Sequence, residues 1–201
     1  MTDRPQLVLA TANPNKVAEL TDLLGDGFEI SPRPDDLADT VEDGATLEEN
    51  AIKKATEVSD HSAAVALADD TGLFVEALAG RPGVESARFA GPQADDGANR
   101  ARLLTELAGE DNRCAYFETV IAVVGVEPGR PIIGRGRVHG WIVEHARGEH
   151  GFGYDSLFQP DLGDGRTFAE MTLAEKQALS HRRLALSDLV GQLLGPPEPG
   201  P

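Results

Sequence analysis

Apolar positions in this chain change period several times, and each change marks an element. Gln6 to Ala10, with the unbroken apolar run Leu7-Val8-Leu9-Ala10, reads as a buried strand, and Thr11-Ala12-Asn13-Pro14-Asn15 follows as a tight loop. Asn13 suits an N-cap and Pro14 a first helical turn, after which Val17, Leu20, Leu23 and Leu24 keep helical spacing up to Gly25. Thr46-Leu47-Glu48-Glu49 reads as a capping box opening a helix that runs to about Ser59. Ala63 to Ala68 reads as a strand, with Asp69-Asp70-Thr71-Gly72 as the loop at its end. Leu73 to Leu78 continues apolar until Gly80-Arg81-Pro82-Gly83 breaks the chain. Asp95 to Leu107 has the period of an amphipathic helix. Tyr116–Val126 and Ile132–Val143 read as two long strands joined at Glu127-Pro128-Gly129-Arg130. Arg147 to Tyr154 is a glycine-rich loop, and a second capping box, Thr172-Leu173-Ala174-Glu175, opens a helical region ending near Leu194. Strands alternating with helices, with one hairpin between, predict a three-layer α/β fold with a mixed sheet. Residues 1–194 are expected to form one domain, with the Pro- and Gly-rich stretch 195–201 as a frayed tail.

Composition narrows the function classes. The 201 residues carry a formal net charge of −16, which argues against the broad basic face that a nucleic-acid polymer needs. The apolar run near the N-terminus is too short for a signal sequence and no stretch is long enough for a membrane span, so a soluble, cytoplasmic protein is expected. Cys114 is the single cysteine, which excludes an intramolecular disulfide and a thiolate zinc cluster; it reads as a small buried hydrophobe. Lysines are few. They stand at 16, 53, 54 and 176, and all but Lys53, which reads as surface solvation, recur in the motifs below.

Four constellations could carry chemistry. Asp69 and Asp70 are adjacent carboxylates, hard oxygen donors of the kind magnesium prefers, and strand alternation would turn only one of them into a site. The competing reading is a solvated turn. Thr11 to Lys16 leads into a helix N-terminus, where free amides and the helix dipole favour phosphate and Lys16 adds a charge. It is not a P-loop, and the chain contains no dinucleotide fingerprint. Gly151-Phe152-Gly153-Tyr154-Asp155 offers rings to stack on a base and a carboxylate to read its edge, unless the rings simply tuck into the core. Ser180-His181-Arg182, with Lys176 one turn earlier, offers donors for a ring carbonyl or a phosphate. His181 and Arg182 diverge on a regular helix, so their convergence requires a break near Ser180.

Together these segments resemble the inosine triphosphate pyrophosphatases, also called dITP/XTP pyrophosphatases. The resemblance runs in order through Thr11–Lys16, Glu42-Asp43-Gly44, Glu49-Asn50-Ala51-Ile52-Lys53-Lys54-Ala55 and Ala68-Asp69-Asp70-Thr71-Gly72. It continues through Pro82-Gly83-Val84-Glu85-Ser86-Ala87-Arg88, Gly151–Asp155 and Ser180-His181-Arg182. It implies two α/β lobes with a substrate cleft and a homodimer. The implied reaction is hydrolysis of inosine, deoxyinosine and xanthosine triphosphates to monophosphate and pyrophosphate. It further implies Asp70 as proton acceptor and magnesium ligand, Glu42 as second metal ligand, and Lys54 near the phosphates. Substrate contacts are implied for Thr11, Ala12, Asn13, Pro14, Asn15, Lys16 and Thr71. Phe152, Gly153, Tyr154, Asp155, Lys176, His181 and Arg182 are implied as the base pocket. Asp69 is the alternative base beside Asp70. Ser156 departs from the pattern, standing where the family usually has proline.

Two rivals stand beside this reading. One is a pyrophosphatase of related fold acting on pyrimidine or methylated nucleotides. The other is a nucleotide-binding regulator without catalysis, against which the intact Glu42, Asp69, Asp70 and Lys54 argue.

Overall fold

The computed structural model describes residues 4–194; the stretch expected to fray, 195–201, lies outside them. A seven-stranded sheet has the order β2-β1-β3-β5-β6-β7, with β4 pairing β3 off that path. The strands are β1 (Gln6–Leu9), β2 (Glu29–Ser31), β3 (Ala66–Val75), β4 (Pro82–Gly83), β5 (Cys114–Glu127), β6 (Arg130–Ile142) and β7 (Phe158–Pro160). β1 runs parallel to β2 and β3, while β4 against β3 and β7 against β6 are antiparallel, so the sheet is mixed. The helices are α1 (Pro14–Leu24), α2 (Leu47–Ser62), α3 (Asp96–Glu106), α4 (Leu173–Leu179) and α5 (His181–Leu194). No helix among the described residues is long and apolar enough to cross a membrane.

Local chemistry accounts for the helix ends. The Asn13 side chain accepts from the amides of Asn15 and Lys16, and Pro14, which has no amide to satisfy, begins α1. Thr46 caps α2 by accepting from Glu49 N, while the Glu49 carboxylate bonds the amide of Ala45 rather than that of Thr46. Both reciprocal bonds of the capping box are made at Thr172 and Glu175, where α4 begins. The anticipated break is present: Ser180 is extended, with φ −75° and ψ 148°, and separates α4 from α5.

The chain forms two compact units, each assembled from separate segments. The first contains residues up to Asp70, Thr119–Gly136 and the chain from Leu184; the second contains Thr71–Glu118 and Arg137–Arg183. The first has its own core, in which Leu7, Leu9, Leu67 and Ile121 of the sheet pack with Leu20, Ala185 and Leu189 of α1 and α5. The second packs Leu73, Phe117, Val138 and Phe158 with Leu103, Leu107 and Phe168. Its aromatic centre is tight: Phe117 meets Phe158 edge-on at 4.7 Å, and His181 stacks on Phe117 at 4.8 Å.

Several boundaries differ from the sequence reading. Asp69-Asp70-Thr71-Gly72 is no strand-end loop. It lies inside β3, which begins at Ala66 and runs unbroken to Val75. α2 continues to Ser62, and Ala63, in the left-handed region, ends it. The strands β2, β4 and β7 have two or three residues each, too few to show an alternating pattern. Cys114 is half-exposed, because the buried face of β5 belongs to its neighbours Ala115 and Phe117.

Candidate active site

In the first unit, α2 and β3 bring opposite charges together out of water. Lys54 Nζ lies 2.8 Å from Glu42 Oε1 and 3.0 Å from Asp70 Oδ1. Asp69, the preceding residue on the strand, takes a different lysine: its Oδ2 is 3.2 Å from Lys16 Nζ. Lys54, Asp69 and Asp70 are all buried. Burial pushes the Asp70 carboxyl above its ordinary range; Lys54 and Lys16 oppose the rise and Glu42 adds to it. Burial also disfavours a charged Lys54, but Asp70, Glu42 and Asp69 together outweigh it and hold the ammonium above its ordinary value. The result is a carboxylate with raised basicity fixed against a lysine whose charged form is favoured.

Asn50 ties this cluster together, and the sequence reading gave it no role. Fully buried on α2, it donates from Nδ2 to Asp70 Oδ2 at 3.2 Å and accepts the Gly44 amide on Oδ1 at 2.8 Å. The amide thereby fixes both Asp70 and the loop that carries Glu42. Gly44 must be glycine for this approach, since a β-carbon there would come within 2.6 Å of Asn50 Oδ1. Lys53, expected to be solvated, forms a half-exposed pair with Asp43 of the same loop at 2.7 Å.

The Thr11–Lys16 loop differs from its expected form in one respect. Its amides are not free: Asn15 N and Lys16 N bond the Asn13 side chain, Asn13 N bonds Thr11 Oγ1, and Val17 N bonds the Asn13 carbonyl. The self-capping that begins α1 consumes the donors a phosphate would use. What the loop offers a ligand is side chains, those of Thr11, Asn13, Asn15 and Lys16.

The second unit gathers donors and rings. Lys176 Nζ lies 2.7 Å from Asp155 Oδ2 and sits over the Phe152 ring at 4.8 Å; the Arg182 guanidinium lies 6.0 Å from the same ring. Lys176, His181 and Arg182 are all buried, and Arg182 Nη2 donates to Thr71 Oγ1 at 3.3 Å. The break at Ser180 separates α4, which carries Lys176, from α5, whose Arg182 approaches the same Phe152 ring, while His181 stacks on Phe117. Asp155 Oδ2 also accepts the Phe152 amide at 2.9 Å, so that oxygen closes the glycine-rich loop. A β-carbon at Gly151 would stand 2.1 Å from it. Phe152 is the half-buried ring beside the cations, whereas Tyr154 is core. Its hydroxyl donates to the Ser86 carbonyl at 2.9 Å, and burial pushes the phenol above its ordinary value, with Asp96 adding to the rise.

The residues of the first cluster suit a hard divalent cation. Two carboxylates from separate elements converge on one positive point, now the Lys54 ammonium, and all donors are oxygens. Among the described residues no group of three His, Cys, Asp or Glu gathers as a metal cage. Magnesium at a phosphate site does not need one, since phosphate oxygens and water complete its shell.

The first unit of this mixed α/β fold thus carries a carboxylate of raised basicity against a buried lysine, an arrangement suited to hydrolysis, and the second carries rings and cations suited to an aromatic ligand. The Ham1 family pattern matches residues 7–192. The dITP/XTP pyrophosphatase of an Exiguobacterium species is 46% identical over 94% of this chain and 97% of its own length, and that of Haemophilus influenzae is 45% identical over 94% and 100%. Among solved structures, a HAM1 protein from Coxiella burnetii superposes with a TM-score of 0.84 at 39% identity, covering 94% of this chain and 98% of its own. The nucleoside-triphosphatase / dITP/XTP pyrophosphatase of Mycobacterium abscessus gives 0.74 at 41% identity, over 92% and 98%. The chain belongs to the Ham1 family and is a hydrolase.

Proposed function

We propose that this hydrolase cleaves non-standard purine nucleoside triphosphates, those of inosine, deoxyinosine and xanthosine, to the monophosphate and pyrophosphate. The observation that carries the reading is the Glu42–Lys54–Asp70 cluster, which sets a buried carboxylate of raised basicity against the buried Lys54 ammonium. The names of the Exiguobacterium and Haemophilus relatives point to the same substrates.

Asp70, its basicity raised by burial, takes the proton of a water attacking the α-phosphorus, with Asp69 beside it as the alternative acceptor. Asn50 keeps the Asp70 carboxylate oriented while this happens. Lys16 and Lys54 stabilise the charge that develops on the departing pyrophosphate, each already held by an aspartate in the same cluster. Glu42 and Asp70 would hold magnesium, which when bound supplies charge neutralisation at phosphate oxygens. Thr71 and the side chains of Thr11–Lys16 contact the nucleotide.

Selectivity comes from the second cluster. Inosine and xanthosine present an oxygen at purine C6 where adenosine presents an amino group. Lys176, His181 and Arg182 are donors, so they pair with the oxygen and meet the amino group donor to donor. Buried donors left unpaired make such a mismatch expensive. Phe152 supplies a ring face for the purine. The resemblance extends the proposal to a cytoplasmic homodimer, and sedimentation of the purified chain reads its oligomeric state.

The deciding experiment is product chromatography over a panel of purine and pyrimidine triphosphates, with magnesium and after exhaustive chelation. Monophosphate and pyrophosphate from inosine and xanthosine triphosphates, lost on chelation while the circular dichroism is unchanged, are the expected result. Orthophosphate as first product removes the α-phosphorus mechanism, and full activity after chelation removes the metal.

A further inference from the structure

Gly153 is held by both of its backbone polar groups from a single helix. Its N–H donates to Asp96 Oδ2 at 2.6 Å, and its carbonyl accepts from Arg100 Nη1 at 2.7 Å. Asp96 and Arg100 stand four residues apart on α3, the spacing that sets two side chains on one helix face. Both bonds have an ionised partner, which places them in the stronger class of hydrogen bond.

The loop so held has little to fix it from within. Gly151 and Gly153 are both left-handed, with φ of 75° and 57°, and glycine at such positions loses much freedom on ordering. On one side the loop is pinned at Asp155, whose Oδ2 meets the Phe152 amide and Lys176. On the other it is pinned at Gly153 by α3. Phe152 is held on its own amide by the first pin and stands immediately before Gly153, the second.

Resting on the proposed function, in which this loop receives the purine, we propose that Asp96 and Arg100 are positioning residues that set substrate affinity by holding the loop in its binding form. A loop already ordered spares the substrate the cost of ordering it. The effect therefore falls on KM rather than on the chemical step.

The test uses the full chain as wild type, Asp96→Ala, Arg100→Met, the double variant, and Asp96→Asn, whose side-chain oxygen can still accept the Gly153 amide. The measurements are kcat and KM for inosine triphosphate, and amide hydrogen exchange across residues 150–156. Each single truncation is expected to raise KM about tenfold, the scale of one lost charge-assisted bond. The kcat should stay within about twofold of wild type. Loop exchange should quicken in both truncations, and Asp96→Asn should restore KM to within about threefold of wild type. The double variant should match the worse single, because both side chains hold one residue. Faster exchange with unchanged KM overturns the positioning role, as does a fall in kcat at constant KM. Unchanged exchange overturns the grip itself. A wild type that leaves inosine triphosphate intact overturns the reading of function instead, and the exchange measurement then decides the grip alone.

Discussion

Lys54 and Lys176 are both buried and both held by carboxylates, yet their surroundings are opposite in kind. Around Lys54 the acids are in excess: Glu42, Asp69 and Asp70 face two lysines, Lys16 and Lys54. Lys176 is held by the Asp155 carboxylate, with the Phe152 ring at 4.8 Å, the Phe168 ring at 5.9 Å and a second cation, Arg182, beside the Phe152 ring. A buried charge must be paired, and breaking such a pair typically costs about 3–5 kcal/mol. Either surroundings meet that requirement. What differs is the sign left over. The first cluster gathers more carboxylates than lysines and raises the basicity of Asp70, which suits proton removal and a divalent cation. The second sets two buried cations, Lys176 and Arg182, against the Phe152 ring, which suits a ring with carbonyl oxygens. A chain of net charge −16 thus holds its buried cations here with aromatic faces as well as with the Asp155 carboxylate.

The contrast can be broken most sharply at Asp70. Asp70→Asn is nearly isosteric and removes one of the carboxylates beside Lys54. Turnover of inosine triphosphate should fall about a hundred- to ten-thousand-fold, the cost typical of a lost general base. Binding of inosine monophosphate, measured by calorimetry, should persist, since the donor-and-ring cluster is untouched. Turnover within a few-fold of wild type would move the chemistry away from the first cluster. Loss of monophosphate binding would show that the two clusters do not divide the work as proposed.

Arg182→Ala probes the other side. It should lower kcat/KM for inosine triphosphate far more than for adenosine triphosphate, shrinking the preference by about 1.5–3 kcal/mol, the cost of a buried bond to a charged group. Circular dichroism checks the fold, because Arg182 is almost fully buried. Equal losses on the two nucleotides would assign Arg182 to the phosphates or to packing, leaving base selection to Phe152–Asp155.

The smallest expected effect sharpens the account of how Lys176 is held. Glu175 closes the capping box of α4, the helix that carries Lys176, and the Arg166 guanidinium, with the Thr172 bonds adding, holds its carboxyl at about 2 against an ordinary 4.5. A carboxyl depressed on folding contributes stability above its unfolded value, and that contribution disappears as pH falls through the folded one. The window is therefore about 4.5 down to 2. Glu175→Gln should flatten part of the acid limb of the Tm-against-pH curve and leave inosine triphosphate KM at neutral pH nearly unchanged. An unchanged acid limb would deny Glu175 this role.

The sequence by itself determined the features that close within a few residues. Asn13-Pro14 capping α1 and Thr172 with Glu175 capping α4 follow from groups within three positions of one another, whose bonds form whatever the rest of the chain does. Motif order likewise carried the family and the residues of both clusters. Only the tertiary structure decided which partners those residues took. It set Asp69-Asp70-Thr71-Gly72 inside β3 rather than after it, because pairing with β4 extends the strand past the acids. It showed the first-turn amides of α1, those of Asn15 and Lys16, already spent on Asn13. It joined Asn50 to Asp70 across 20 residues and Asp96 to Gly153 across 57, contacts for which no local pattern exists. Bonds between neighbours are written in composition and spacing, whereas bonds across the fold exist only once the sheet and its helices have packed.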